Sequence, residues 1–145
     1  MDAYRNRVCG YGGSPPPADV VFKASSTTKA YCAAGAAQEQ GLEKVAASGF
    51  DPDAFRAHVT SDTFLRALDE QDTKAPPEIA ADVKADNAWV RDHKLKVLAK
   101  YDYDLRRVLL EGSADELAEF TYFDPAIVRQ DSRVEAYQAQ LCGSS

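Results

Sequence analysis

Between Pro77 and Gly112 the chain carries neither Gly nor Pro, the longest such stretch in the sequence. Its apolar residues recur at helical spacing: Ile79, Val83, Val90, Val97 and Tyr101 follow one face, and Trp89, Leu95 and Leu98 widen it. Pro76 and Pro77 suit a first helical turn, where a missing N–H costs nothing. Glu78 sits at the positive end of the helix dipole, and Lys94, Lys96 and Lys100 gather toward the negative end. The pattern predicts a central helix over residues 76–101, against which the other elements lie.

Helix signals recur on both sides of it. Ser25-Ser26-Thr27-Thr28 is rich in capping residues, and a small-residue stripe of Ala30, Ala34, Ala37 and Gly41 follows, with Tyr31 and Cys32 at its edge. Gly35 and Gly41 each weaken a helix by roughly 1 kcal/mol relative to Ala, so either is a candidate end or kink. Gly49 is a candidate C-terminal stop. Asp51-Pro52 is an N-cap followed by a first-turn Pro, and Thr60-Ser61-Asp62 marks a break before a helix carrying Phe64, Leu65 and Leu68. Beyond Tyr101, Asp102-Tyr103-Asp104 reads as a polar turn, and Leu105 to Leu110 as a short apolar patch closed by Gly112. Ser113 with Glu116 is a capping-box pattern. Asp124-Pro125 repeats the Asp-Pro start and opens a last helix with Ile127, Val128, Val134, Tyr137 and Leu141, ending at Cys142-Gly143.

Residues 1–19 read differently. Gly10, Gly12 and Gly13 precede Ser14 and Pro15-Pro16-Pro17, a composition that suits a flexible, then polyproline-like arm. Val20-Val21-Phe22 is a short apolar anchor able to dock on a core. Runs of β-branched and aromatic residues at period two are missing. The expected fold is all-α: a flexible N-terminal arm over 1–19, then one helical domain over 20–145, built as an up-and-down bundle of about four to five helices.

The formal net charge of −6 argues against nucleic acid, which requires clustered Lys and Arg. No stretch approaches the roughly 18 apolar residues of a membrane span. The first nine residues carry charge and lack the apolar core of a signal peptide. The chain therefore either stays in the cytoplasm or is a mature form from which a leader has been removed.

The three cysteines, Cys9, Cys32 and Cys142, form no CxxC and no zinc-type spacing. Cys32 lies in the first strong helix and Cys142 in the last helical turn. A bridge between them would close a loop of about a hundred residues and tie the domain's ends together. The alternative is three reduced thiols, with Cys32 and Cys142 acting as small core residues. Taken together, Tyr31-Cys32 in the first helix, the PPEIAADV start at 76–83, the Asp-Pro start of the final helix and the closing RVEAYQAQLCG resemble small exported helical proteins of bacteria. Those proteins are secreted or lipid-anchored, and many lack an assigned activity. The resemblance implies an extracytoplasmic location and a disulfide between first and last helices. The residues before Cys9, Arg5-Asn6-Arg7-Val8, are polar and charged where a lipid-anchored member carries small apolar ones.

No catalytic or cofactor motif of the GxSxG, HExxH, P-loop or GxGxxG type is present. Asp82 and Asp86 share a helix face but lack the ExxH partners of a di-metal bundle, and they suit a solvated face. No metal or cofactor is therefore assigned. The tyrosines are the most suggestive group, since aromatic side chains with polar tips line many pockets between helices. Trp89, Tyr101, Tyr103 and Tyr122 are the candidate ligand-binding residues. The primary expectation is an exported, non-enzymatic binding or interaction domain, taking a small apolar or aromatic molecule between its helices or meeting a protein partner. The alternative is a small enzyme using His58 or His93 with a neighbouring Asp or Tyr, which requires one His in a cleft within reach of a carboxylate.

Overall fold

The computed structural model describes residues 20–121 and 125–143, with side chains over 20–120 and 133–143. Every regular element among them is helical: α1 (Thr28–Ala47), α2 (Pro52–Val59), α3 (Asp62–Lys74), α4 (residues 80–100), α5 (Leu105–Glu111), α6 (Ala114–Thr121) and α7 (Pro125–Leu141). Helix α4 consists of Ala80–Trp89, a π-helical turn over Val90–Lys94, and Leu95–Lys100. The long helices are α1, α3, α4 and α7. The arrangement is more segmented than an up-and-down bundle of four or five, because each polar cap in the connections starts a new short helix. The expected arm over 1–19, with Cys9, lies outside the described residues.

Three capping signals act as the sequence predicts, at Asp51, Ser61 and Ser113, whereas Thr27 at the start of α1 makes no side-chain cap hydrogen bond. Asp51 accepts from Ala54 N–H at 3.0 Å and Ser61 from Phe64 N–H at 3.1 Å. Asp104 accepts from Arg106 N–H at 3.0 Å and opens α5, so the apolar patch after Tyr103 is a helix. Ser113 and Glu116 form a reciprocal capping box, each backbone N–H bonded to the other's side chain at 3.1 Å. Gly49, at φ +72°, follows the end of α1, whose course is unbroken through Gly35 and Gly41. Pro76 and Pro77 precede α4 instead of opening it. Ile79 N–H closes a turn onto Pro76 C=O at 3.0 Å, and the α-helix begins at Ala80.

The core has two apolar clusters. One gathers Phe22, Tyr31, Ile79, Val83, Val134 and Tyr137 where the starts of α1 and α4 meet α7. The other gathers Val45, Phe55, Val59, Val97, Leu98, Tyr101 and Val108, with Leu117 and Phe120 packed against it. Helix α4 runs through both, as a central helix should. A polar layer lies on its middle. Buried Asn87 donates to Asp72 at 2.8 Å and to Leu68 C=O and Gln71 at 3.3 Å, and buried Gln71 donates to Gln38 at 2.7 Å. Arg91 clamps Asp69 and Asp72, both at 2.9 Å. Asp72 meets Asn87 while Asp69 meets the later Arg91, so α3 and α4 are antiparallel. Buried amides left unbonded would cost a few kcal/mol each, so this layer fixes the register of α1, α3 and α4.

Cys32 and Cys142 form a disulfide with Cα atoms 5.3 Å apart. It staples the first turns of α1 to the end of α7 beside the first cluster. There the buried Tyr31 phenol, pushed up to about 12 by burial, accepts from Gln138 at 3.2 Å, and Thr28 shares a 2.7 Å hydrogen bond with Tyr137.

Candidate functional site

Three of the four candidate aromatic residues lie between the end of the first segment of α4 and the turn after that helix. Trp89 is half-buried, donates its indole N–H to Glu119 C=O at 2.8 Å, and stacks on the His93 ring at a centroid distance of 4.2 Å. The two residues are one turn apart, and the π-helical turn begins between them. π turns inside α-helices occur frequently at functional sites.

Tyr101 is buried and donates its hydroxyl to Glu116 at 2.8 Å. Tyr103 is half-buried in left-handed backbone at φ +60°, directly after Asp102 at φ +54°, with the Arg56 guanidinium 5.3 Å above its ring. Two consecutive non-glycine residues in that region carry strain of roughly 1–3 kcal/mol each, offset here by the Tyr103 N–H bond to Leu98 C=O at 2.8 Å. Tyr122 lies outside the described residues.

These side chains do not converge on one space. Twelve residue steps separate Trp89 from Tyr101, roughly 18 Å along the axis at 1.5 Å per step. The first packs on the end of α6 and the second on its beginning. Tyr103 turns toward α2.

Glu116 organises the Tyr101 end. Lys100 at 2.8 Å, the Ser113 backbone N–H and the Tyr101 hydroxyl together hold its carboxyl at about 2. The same contacts, led by the hydrogen bond each donates to the Glu116 carboxylate, raise the Lys100 ammonium and the Tyr101 phenol above their ordinary values. Arg107, bonded to Glu111 and Asp102, is likewise raised. A carboxylate held by three donors is locked in its charged form, which suits a structural joint better than proton transfer.

The histidines take different positions. His58 is half-buried beneath α1 at Gly41, edge-on to Phe64 at 5.0 Å, and burial lowers its imidazole below the ordinary value. Among the described residues it has no ion-pair partner. His93 Nδ1 lies 3.7 Å from Glu119, beyond direct hydrogen-bond length, and both side chains are about two-fifths exposed, at 40% and 41%. Neither combines a cleft with a bonded carboxylate. Asp82 is occupied by Arg133 at 2.9 Å. Among the described residues, no group of three or more His, Cys, Asp or Glu side chains could hold a metal.

An open groove of about 200 Å³ runs between α1 and α3, lined by Ala33, Ala34, Ala37, Thr63, Arg66, Ala67 and Glu70. Among the described residues, none of the aromatic candidates borders it. The residues that sequence reasoning missed lie at the other end of the domain. Gln140 bonds both sides of the backbone at 20–22, and Arg133 covers the Phe22 ring. The apolar Val20-Val21-Phe22 triplet was the available signal, but nothing in the sequence shows which residues receive it.

Searches against protein-family models, curated proteins and solved structures found no match to this chain.

Proposed function

We propose that this chain is an exported, non-enzymatic helical interaction domain that meets a protein partner at its surface and does not enclose a small molecule between its helices. The carrying observation is where the candidate aromatic residues spend their polar atoms. The Trp89 indole N–H is bonded to Glu119 C=O and the Tyr101 hydroxyl to Glu116, so both are committed to α6. In a ligand pocket, a few such groups converge on open space to orient the guest. The Cys32–Cys142 bridge supports an oxidising, extracytoplasmic location, where such cross-links persist. No helix among the described residues is long and apolar enough to cross a membrane.

Trp89 is the only tryptophan, so its fluorescence reports directly on the α4–α6 contact. Titration with a panel of small aromatic and aliphatic compounds is expected to give no saturable change in its emission. A saturable shift with any of them would replace the surface reading with an interior-ligand one.

A further inference from the structure

The segment before α1 is held by the helical body as a bound peptide is held by a receptor. Val20 packs against the first apolar cluster, Val21 is 81% exposed, and Phe22 is 6% exposed. Side chains that alternate in this way belong to an extended segment, which presents them to opposite sides. Gln140 reads its backbone in both directions: Phe22 N–H donates to Oε1 at 2.9 Å, and Nε2 donates to Val20 C=O at 2.9 Å.

Phe22 fills an aromatic socket. Its ring meets Tyr137 edge-on at 5.3 Å, and the Arg133 guanidinium lies 5.8 Å from its centroid. Arg133 is itself fixed by Asp82 at 2.9 Å and Glu78 C=O at 3.1 Å. The groups that touch residues 20–22 stand on α7, which Asp82 of α4 supports through Arg133 and which the disulfide and the Tyr137–Thr28 bond brace from α1. The socket is thus built from regular helices, and its occupant from a non-helical segment with exposed residues at 23–26.

We propose that this socket is a peptide-recognition site for an extended apolar–any–Phe segment of a partner protein, and that residues 20–22 occupy it in cis as a built-in competitor. The chemistry defines the ligand. The Gln140 amide pairs with main chain and is indifferent to sequence. The central side chain faces water and is not read. The third position is read as aromatic by Tyr137 and Arg133. This inference rests on the interaction-domain reading and names the partner that reading leaves open. Tethering gives the internal segment an effective concentration on the order of millimolar, so an outside peptide competes at a disadvantage.

The test uses a fluorescent peptide of residues 18–24 with blocked ends, read by anisotropy. The Phe22→Ala chain, with its disulfide intact, is expected to bind it saturably at one site. The wild-type chain should bind at least about tenfold more weakly. Replacing the Phe of the peptide by Ala should cost at least about tenfold in affinity, whereas replacing its central Val by Lys should cost little. Gln140→Ala on the Phe22→Ala background should weaken binding. Absence of saturable binding to folded Phe22→Ala, or equal affinity for the Phe-to-Ala peptide, would overturn the proposal. If Phe22→Ala does not fold, hydrogen exchange on the wild-type chain decides. Excess peptide should speed exchange of the Phe22 amide, and an unchanged rate at saturating peptide counts against the socket. A wild-type dimer with Phe22 seated on the second copy would assign the socket to self-association and remove the partner peptide. Failure of the peptide with a silent Trp89 removes only the socket, whereas a saturable Trp89 response to a small ligand removes the broader reading.

Discussion

Gly41 of α1 lies directly against the imidazole of His58 on α2: a Cβ built on Gly41 would stand 2.6 Å from His58 Nδ1. The glycine is there for proximity and not for backbone freedom, since the helix passes through it without a break. The ring cannot swing aside freely, because it also meets Phe64.

Gly41→Ala is therefore expected to destabilise the fold by about 1–3 kcal/mol, the usual cost of overpacking, despite the helix propensity it gains. In a His58→Ala background the same change should become stabilising, by up to about 1 kcal/mol, because only the propensity term remains. Urea denaturation of the four chains in this cycle checks both signs.

His58 also sets a pH dependence. Burial lowers its folded-state value, so the unfolded chain takes up the proton first as pH falls. The stability from the neutral ring is fully present above the unfolded value of about 6.5 and is lost as pH drops through the lower folded value. His58→Gln should flatten this part of the stability–pH curve, measured by chemical denaturation between neutral and mildly acidic buffers.

Glu116 acts in a more acidic window. With its carboxyl held at about 2 by Lys100, the Ser113 N–H and Tyr101, the contribution is present above its unfolded value and disappears as pH falls through about 2. Glu116→Gln should lower the melting temperature at neutral pH, and the gap to the wild-type chain should close as pH approaches 2. The same variant should return the Tyr101 phenol toward its ordinary value, read by ultraviolet titration, because Glu116 is the leading cause of its rise.

The Cys32–Cys142 bridge spans 110 residues of sequence. Reduction, or Cys32→Ser with Cys142→Ser, should cost about 5 kcal/mol if the loss follows chain entropy. Non-reducing mass spectrometry of the native protein, followed by denaturation with and without reductant, measures it. A fully reduced native protein would withdraw the main support for export.

Much of the local structure was legible in the chain. Asp51, Ser61 and Ser113 start helices because a side-chain oxygen three or fewer residues from an orphan N–H needs no distant partner, and Asp104 does the same although its stretch reads as a turn. The apolar face from Ile79 to Tyr101 marked α4 as the central helix. The place of Asn87 on that face was not legible, since an amide becomes a core residue only when Leu68, Gln71 and Asp72 arrive from another helix to bond it.

The aromatic candidates show the same division. Sequence alone determined that Trp89, Tyr101 and Tyr103 lie near one another in the chain, that the fold is helical, and that Val20 to Phe22 is an apolar anchor. Tertiary structure decided that Trp89 and Tyr101 meet opposite ends of α6, and that the anchor is gripped by Gln140 and covered by Arg133. Periodicity and capping depend on neighbours within a turn or so and are written in local order. Which distant side chain satisfies a buried hydrogen bond or covers a ring depends on how the helices pack, and no local pattern encodes it.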